Sequence, residues 1–334
     1  MAGLRGAESL WLTGCESHAM SCPMTQCIGL HHVTALSGNI RRTHDFYTRV
    51  LGLRLVKKTV NFDDAASWHL YFGDTTGTPG TLITFFSWED TRAGQPGFGE
   101  TVAVSFSIPP GSAPFWAERL SDEGIACALD HDAKAPVIAL HDPDGLALEL
   151  VEHDITGLTH PHLDELSPDH AITGLHAATL LVSDVEATAR VLMDVFGWYE
   201  TGRSELPGFE RMRLQSGAKA QGAQIDLLRA ANAPQAKRGT GSVHHLAFRA
   251  ADEAAQSAMV AEIRRAGLET TPVLDRTYFK SIYFREPSGV LFEIATDAPG
   301  FTVDENVERL GESVKLPANL QDKREVILAK LPEI

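Results

Sequence analysis

The chain has 334 residues, 43% hydrophobic and 22% charged, the balance of a globular protein long enough for two domains. Its formal net charge of −15 argues against nucleic acid, which wants a basic face, and no stretch reaches the ~18 uninterrupted apolar residues of a membrane span. Of the four cysteines, Cys15, Cys22, Cys27 and Cys127, none forms a CxxC pair, so the composition points to a reduced, cytoplasmic protein without a disulfide framework.

Residues 1–27 have neither the apolar core of a signal peptide nor a helical or strand period. They are expected to be a disordered extension, with Met24 as a candidate start. Ordered sequence opens on "GLHHVTAL" (29–36), an apolar strand headed by two histidines. A helical stretch follows, "NIRRTHDFYTRVLGLRLV", stopped by Gly52, and then short strands that include "WHLYFGD" and "GTLITFF". A second strand of the same type, "TVAVSFSI", begins at Thr101. A third, "LHAATLLV", begins at Leu175 and leads into the helix "DVEATARVLMDVFGWYE" with Gly197 as its stop. A fourth, "VHHLAFRA", begins at Val243 and leads into "ADEAAQSAMVAEIRRAGLET", ended by Gly267. These strands recur about every 70 residues, too long for a solenoid and suited to a small supersecondary module.

The second and fourth modules close on the same phrase, "HDPDGLALELVEH" and "REPSGVLFEIATD". Each is a Pro-Gly turn followed by a strand carrying Glu149 or Glu293 at one register. The expected fold class is therefore α+β, four βαβββ modules forming two curled mixed-sheet domains with helices outside. The expected organisation is a first half over 28–152, a polar linker over 153–171, a second half over 172–298 and a tail over 299–334.

Strand alternation places His32, His245 and Glu293 on the concave side and His31 and His244 on the helix side. In the HH column the second and third modules carry Ala103 and Ala177. Only the first and last modules together supply two histidines and a carboxylate, so these two are expected to share one metal-binding domain. Two His with one carboxylate is the facial arrangement of non-haem Fe(II) oxygenases, and it leaves about three octahedral positions open for substrate and O₂. The expected metal is Fe(II), with Mn(II) as the alternative. His69 reads as a packing residue or a support for the ligands, Glu149 as a structural relic, and Lys57 and Lys58 as a solvated edge.

The repeat with "DFYTRVLGLRLV" and "PSGVLFEI" resembles the vicinal oxygen chelate superfamily of glyoxalases, bleomycin-resistance proteins and extradiol dioxygenases, over nearly all of residues 29–297. More narrowly, "GLHHVTALSGN", "LGLRLVKKTVNFDD", "WHLYFGD" and "LPANLQDKREVILAKLP" resemble the hydroquinone ring-cleaving dioxygenases of the dichlorohydroquinone type. The resemblance implies an Fe(II) enzyme acting on a small aromatic substrate with O₂, and its metal ligands fall on His32, His245 and Glu293. It puts His31, Thr34, His244, Arg276 and Tyr283 in the substrate pocket, against the bland alternatives of a surface arginine beside Asp275 and a core tyrosine. For His31 and His244 that disagrees with simple alternation, and a bulge at the strand start would reconcile the two. A homo-oligomer is expected. Two other functions fit the fold. A glyoxalase-type isomerase would want a second carboxylate where "GTLITFF" offers only Thr84, and a ligand-sequestering resistance protein would not need the metal triad.

Overall fold

A computed structural model describes residues 27–89, 91–130, 135–155, 162, 164, 166–206 and 208–334. The expected disordered extension lies outside the described residues except for Cys27, as does part of the expected linker.

Each repeat builds one strand, one helix and three more strands. The first contains β1 (Leu30–Ser37), α1 (Ile40–Asp45), β2 (Arg54–Asn61), β3 (Asp64–Gly73) and β4 (Leu82–Ser87). The second contains β5 (Glu100–Ile108), α2 (Ala113–Asp122), β6 (Cys127–Asp130), β7 (Val137–His141) and β8 (Ala147–Glu152). The third contains β9 (Gly174–Leu181), α3 (Val185–Phe196), β10 (Tyr199–Leu206), β11 (Phe209–Gln215) and β12 (Gln224–Ala230). The fourth contains β13 (Val243–Ala250), α4 (Glu253–Arg265), β14 (Leu274–Asp275), β15 (Lys280–Arg285) and β16 (Leu291–Thr296).

Local chemistry sets the helix ends. Asp184 and Asp252 cap α3 and α4 by accepting the Ala187 and Ala255 amides at 2.9 and 2.8 Å. Gly197 ends α3 in the left-handed conformation, φ 70°. The first helix departs from the expected single stretch. After Asp45 it widens to a π-helix over Phe46–Val50, with the Leu51 amide donating to the Phe46 carbonyl at 3.0 Å.

The strands form two eight-stranded mixed sheets, ordered β14-β15-β16-β13-β1-β4-β3-β2 and β10-β11-β12-β9-β5-β8-β7-β6. The first and last repeats share sheet one, and the middle two share sheet two. In each sheet two repeats meet through their opening strands, β1 with β13 and β5 with β9, both antiparallel. A closing strand lies parallel on each outer side.

Helices fill the seam between the sheets, and one hydrophobic core runs through both halves. Phe196 of α3 stacks on Phe248 of β13, with ring centroids 4.2 Å apart and planes at 15°. The two Pro-Gly turns tie the halves in a pseudo-symmetric way. Asp142 accepts the Asp144 and Leu146 amides at 2.9 Å inside its turn, and the Tyr47 hydroxyl at 3.2 Å from the first repeat. Glu286 accepts the Val290 amide at 2.8 Å and the Thr188 hydroxyl at 2.6 Å from the third repeat.

One expectation is corrected. Lys58 is half-buried, but Lys57 is fully buried rather than part of a solvated edge. Its Nζ meets Asp304 and Glu305 of the C-terminal tail, which no local sequence pattern announces.

The Asp142 turn has a pH signature. Burial pushes its carboxyl from 3.8 to about 6, against the lowering effect of its amide donors. The folded chain then holds this proton more tightly than the unfolded chain. Its contribution to stability is therefore full below about 4 and lost as pH rises through about 6. Asp142→Asn should flatten stability between those values, and denaturant titrations at a series of pH values should show the wild-type slope there and none in the variant.

Candidate metal centre

His32 lies on β1, His245 on β13 and Glu293 on β16, three adjacent strands of sheet one. The register pairs Thr34 with His245 and His32 with Ala247, so the two imidazoles sit diagonally across the antiparallel pair. Glu293 pairs with Ala247 on the parallel side. The result is a cluster buried to 1%, 3% and 0% exposure. The two Nε2 atoms are 3.3 Å apart, and Glu293 Oε2 is 3.5 Å from His32 Nε2 and 2.8 Å from His245 Nε2.

The two oxygens of Glu293 are treated differently. Oε1 accepts the Ser281 hydroxyl at 2.5 Å. Oε2 is buried and accepts no hydrogen bond of good geometry, despite its short distance to His245. A buried carboxylate oxygen without a donor costs free energy unless something cationic satisfies it. Burial opposes ionisation of Glu293, yet His32 and His245 outweigh it and hold the carboxyl well below the usual range. Burial also pushes His245 down, against the pull of Glu293. An anion facing two lone-pair nitrogens at this spacing fits a divalent cation. Among the described residues this is the one group of three such side chains gathered closely enough to do so.

The adjacent histidines explain the doubled motif. His31 Nδ1 lies 2.9 Å from His32 Nδ1, and His244 Nδ1 lies 2.8 Å from His245 Nδ1. Each pair shares one proton, so the imidazole with Nε2 facing the centre has its tautomer set by its neighbour. Burial, with the neighbouring histidine adding to it, drives His31 well down and His244 to about 2, which keeps both rings neutral.

Simple alternation fails here for a local reason. The β1–β13 register shifts between Leu30 and His32 and again between Thr34 and Ala35. The extra residue of the first shift is His31, and that of the second is His244. Each is the bulged residue of its strand, so each leaves the helix-side register that strict alternation assigns. The His31 ring packs on Phe279, 5.1 Å between centroids.

A small cavity of about 30 Å³ opens beside the triad. Phe62, Phe86 and Phe279 give it an apolar wall, and His69, Tyr71, Arg276 and Tyr283 give it a polar one. The structure therefore brings Arg276 and Tyr283 to the cavity with His32 and His245. His31, Thr34 and His244 are not among its lining residues and stand one layer behind. Thr34 ends a hydrogen-bonded chain that runs from the Tyr71 hydroxyl to His69 Nδ1 at 3.0 Å, from His69 Nε2 to Thr84 at 2.9 Å, and on to Thr34 at 2.8 Å. Arg276 is held by Asp63 through two bonds of 3.2 and 2.8 Å and lies over the Tyr283 ring. Burial pushes Tyr283 up, and the nearby Glu293 charge adds to it.

His69 as a lining residue, Tyr71, Asp63 and Ser281 escape sequence reasoning. Alternation in "WHLYFGD" does put His69 and Tyr71 on one face, but nothing local says that face meets the triad.

Sheet two supplies an internal control. The residues that pair as Ala247 and Glu293 do are Ser105 with Glu149 and Thr179 with Asp226. Both closing strands thus keep a carboxylate, while Ala103 and Ala177 replace the imidazoles. The cation there is protein: Arg213 binds Asp226 through two contacts of 2.8 and 2.9 Å, and Arg211 adds a third. Glu149 takes the Ser105 hydroxyl at 2.6 Å.

One divalent metal per chain is the expected stoichiometry. His32→Ala, His245→Ala and Glu293→Ala should each empty the site, whereas Glu149→Ala and Asp226→Ala should not. Elemental analysis of the purified variants decides it. A Glu149 variant without metal beside a Glu293 variant with metal would reverse the assignment.

Comparison with known proteins places this geometry. The family model described as Glyoxalase/Bleomycin resistance protein/Dioxygenase superfamily matches residues 29–150 and again 174–294. The chain is 41% identical over 297 residues, 89% of its length and 93% of the relative's, to "Putative ring-cleaving dioxygenase MhqO" of Bacillus subtilis. It is 32% identical over 308 residues, 90% of its length and 94% of the relative's, to the chlorohydroquinone/hydroquinone 1,2-dioxygenase of Sphingobium indicum. A crystal structure of a "putative dioxygenase" from B. subtilis superposes with a TM-score of 0.86 at 39% identity, covering 92% of this chain and 98% of that one. With both halves matched by one family model and relatives aligned along almost the whole chain, the protein belongs to the glyoxalase, bleomycin-resistance and dioxygenase superfamily, beside its ring-cleaving dioxygenases.

Proposed function

We propose that the protein is an Fe(II)-dependent dioxygenase that opens the ring of a hydroquinone-type substrate with O₂. His32, His245 and Glu293 hold the metal, with Mn(II) as the alternative ion. The observation that carries this reading is Glu293 Oε2, buried, without a hydrogen-bond donor, and facing two imidazole nitrogens beside a cavity lined by Phe62, Phe86, Phe279, Arg276 and Tyr283. The name of the Sphingobium relative supports the substrate class.

Bound Fe(II) supplies the electron transfer to O₂ that organic side chains cannot. The chain does the rest. Phe62, Phe86 and Phe279 sandwich the ring and exclude water. Arg276 and Tyr283 face the cavity and stabilise negative charge on a ring oxygen. His69, with Nδ1 on the Tyr71 hydroxyl and Nε2 on Thr84, ties the cavity to this hydroxyl chain and can relay the phenolic proton along it. His31 and His244 fix the orientation of the ligand imidazoles, and Thr34 anchors the far end of the hydroxyl chain.

The isomerase alternative lacks its second carboxylate. Thr84 pairs with Thr34 at the register where Glu293 pairs with Ala247, and it is engaged with His69. No described helix is long and apolar enough to cross a membrane, and the same reading assigns the protein to the cytoplasm.

Anaerobic loading with Fe(II), followed by O₂ and a panel of hydroquinones and catechols, tests the proposal. Stoichiometric O₂ uptake with a ring-opened product is expected from a hydroquinone, and Zn(II) should not substitute because it has no redox chemistry. His69→Ala should lower kcat by about 10²- to 10⁴-fold with metal content retained. Zn(II)-supported turnover of a glutathione hemithioacetal without O₂ uptake would overturn the reading in favour of the isomerase.

A further inference from the structure

Arg276 and Phe279, which both line the cavity, belong to one short turn after β14. That turn is not relaxed. Thr277 has φ 69°, the one positive φ outside glycine among the described residues. Such backbone is strained and persists where the surroundings impose it. Within the turn, Asp275 accepts the Thr277 amide at 2.7 Å. From outside, the turn is gripped by Tyr278, the residue between Thr277 and Phe279.

Tyr278 is 2% exposed and stacks on Phe301 of the C-terminal tail, 5.0 Å between centroids at 23°. Its hydroxyl donates to Asp304 at 3.1 Å. The Lys57 ammonium lies 4.9 Å from the centre of its ring. The same ammonium donates to the Phe301 carbonyl at 3.1 Å, to Asp304 at 2.6 Å and to Glu305. A fully buried lysine is costly unless every proton finds an acceptor, and here all three do. Phe301 also meets the Tyr71 ring at 5.1 Å, so the tail supports a second wall of the cavity.

We propose that Lys57 is a positioning residue for the substrate site. It fastens the tail segment Phe301–Glu305 onto Tyr278, and through Tyr278 holds the strained turn that presents Arg276 and Phe279 to the ring. Lys57 touches neither the cavity nor the triad, so its loss should blur substrate placement and spare the metal. The expectation about substrate rests on the hydroquinone reading, whereas the mechanical part does not.

The test uses the full-length metal-loaded protein in three forms: Lys57→Met, which removes the charge at similar volume; Tyr278→Phe, which removes only the bond to Asp304; and Lys57→Arg as the conservative rescue. Two quantities are read, hydrogen exchange of the peptide spanning residues 275–279 and KM against kcat for the hydroquinone that turns over best. Lys57→Met should expose the turn amides to faster exchange and raise KM about tenfold or more, with metal per chain unchanged. Tyr278→Phe should move both in the same direction by less, and Lys57→Arg should restore most of the protection. Unchanged exchange in a folded Lys57→Met protein overturns the proposal. If Lys57→Met does not fold, unchanged exchange in Tyr278→Phe does the same. Should wild type turn over no hydroquinone, the functional reading fails alone and the exchange experiment still decides the latch.

Discussion

The antiparallel pairing of β1 with β13 is the constraint from which the rest of the site follows. It joins strands 213 residues apart at the ligand positions and sets two imidazole nitrogens 3.3 Å from each other. Neither strand could do this alone, because each opening strand contributes only one of the two Nε2 atoms that meet at the cluster. The parallel closing strand β16 then contributes Glu293 at the level of Ala247, within reach of both histidines. Once these three strands are in register, the cluster is buried by the sheet itself and the cost of an unpaired carboxylate oxygen becomes unavoidable. The fold thus imposes an electrostatic demand that a bound cation would meet.

Sheet two meets the same demand differently, which makes the comparison informative. Its closing strands carry Glu149 and Asp226 at the registers of Glu293 and Thr84, so it bears one more carboxylate than sheet one. Without imidazoles it has no ligand set, and arginine supplies the positive charge. Arg213 pairs with Asp226 at the register where Tyr71 pairs with Thr84. An arginine thus stands at the register of a cavity-lining tyrosine of the other sheet. One duplicated frame therefore carries a candidate metal centre in one half and an internal ion pair in the other, and the difference lies in a few side chains at equivalent registers.

Much of this was legible in the sequence because it depends on period. The 70-residue repeat, the β-α-β-β-β order and the concave placement of His32, His245 and Glu293 follow from alternation and turn chemistry alone. What was not legible depends on two strands at once or on distant chain. The bulges at His31 and His244 arise from how β1 and β13 fit together, and one strand read by itself keeps strict alternation. Lys57 looks like half of an exposed lysine pair until a tail segment 244 to 248 residues later folds over it. Asp226 sits in a strand of ordinary polarity, and only the pairing of β11 with β12 reveals that two arginines converge on it.

The bulges also separate what belongs to the fold from what belongs to the site. Sheet two has register shifts at the same two places, between Thr101 and Ala103 and between Ser105 and Phe106, which makes Val102 and His176 the extra residues. The bulge is therefore a property of the way two opening strands pair, present with or without a metal centre. His176 keeps the histidine at that position, but its neighbour is Ala177, and its Nδ1 turns to Ser107 at 3.3 Å instead. A bulge followed by alanine leaves an imidazole with nothing to orient. A bulge followed by histidine sets the tautomer of that histidine and aims its Nε2 at the cup. The doubled His in "LHHV" and "VHHL" is thus a local device, one ring facing the cup and one holding it there, placed on an irregularity that the fold already contained.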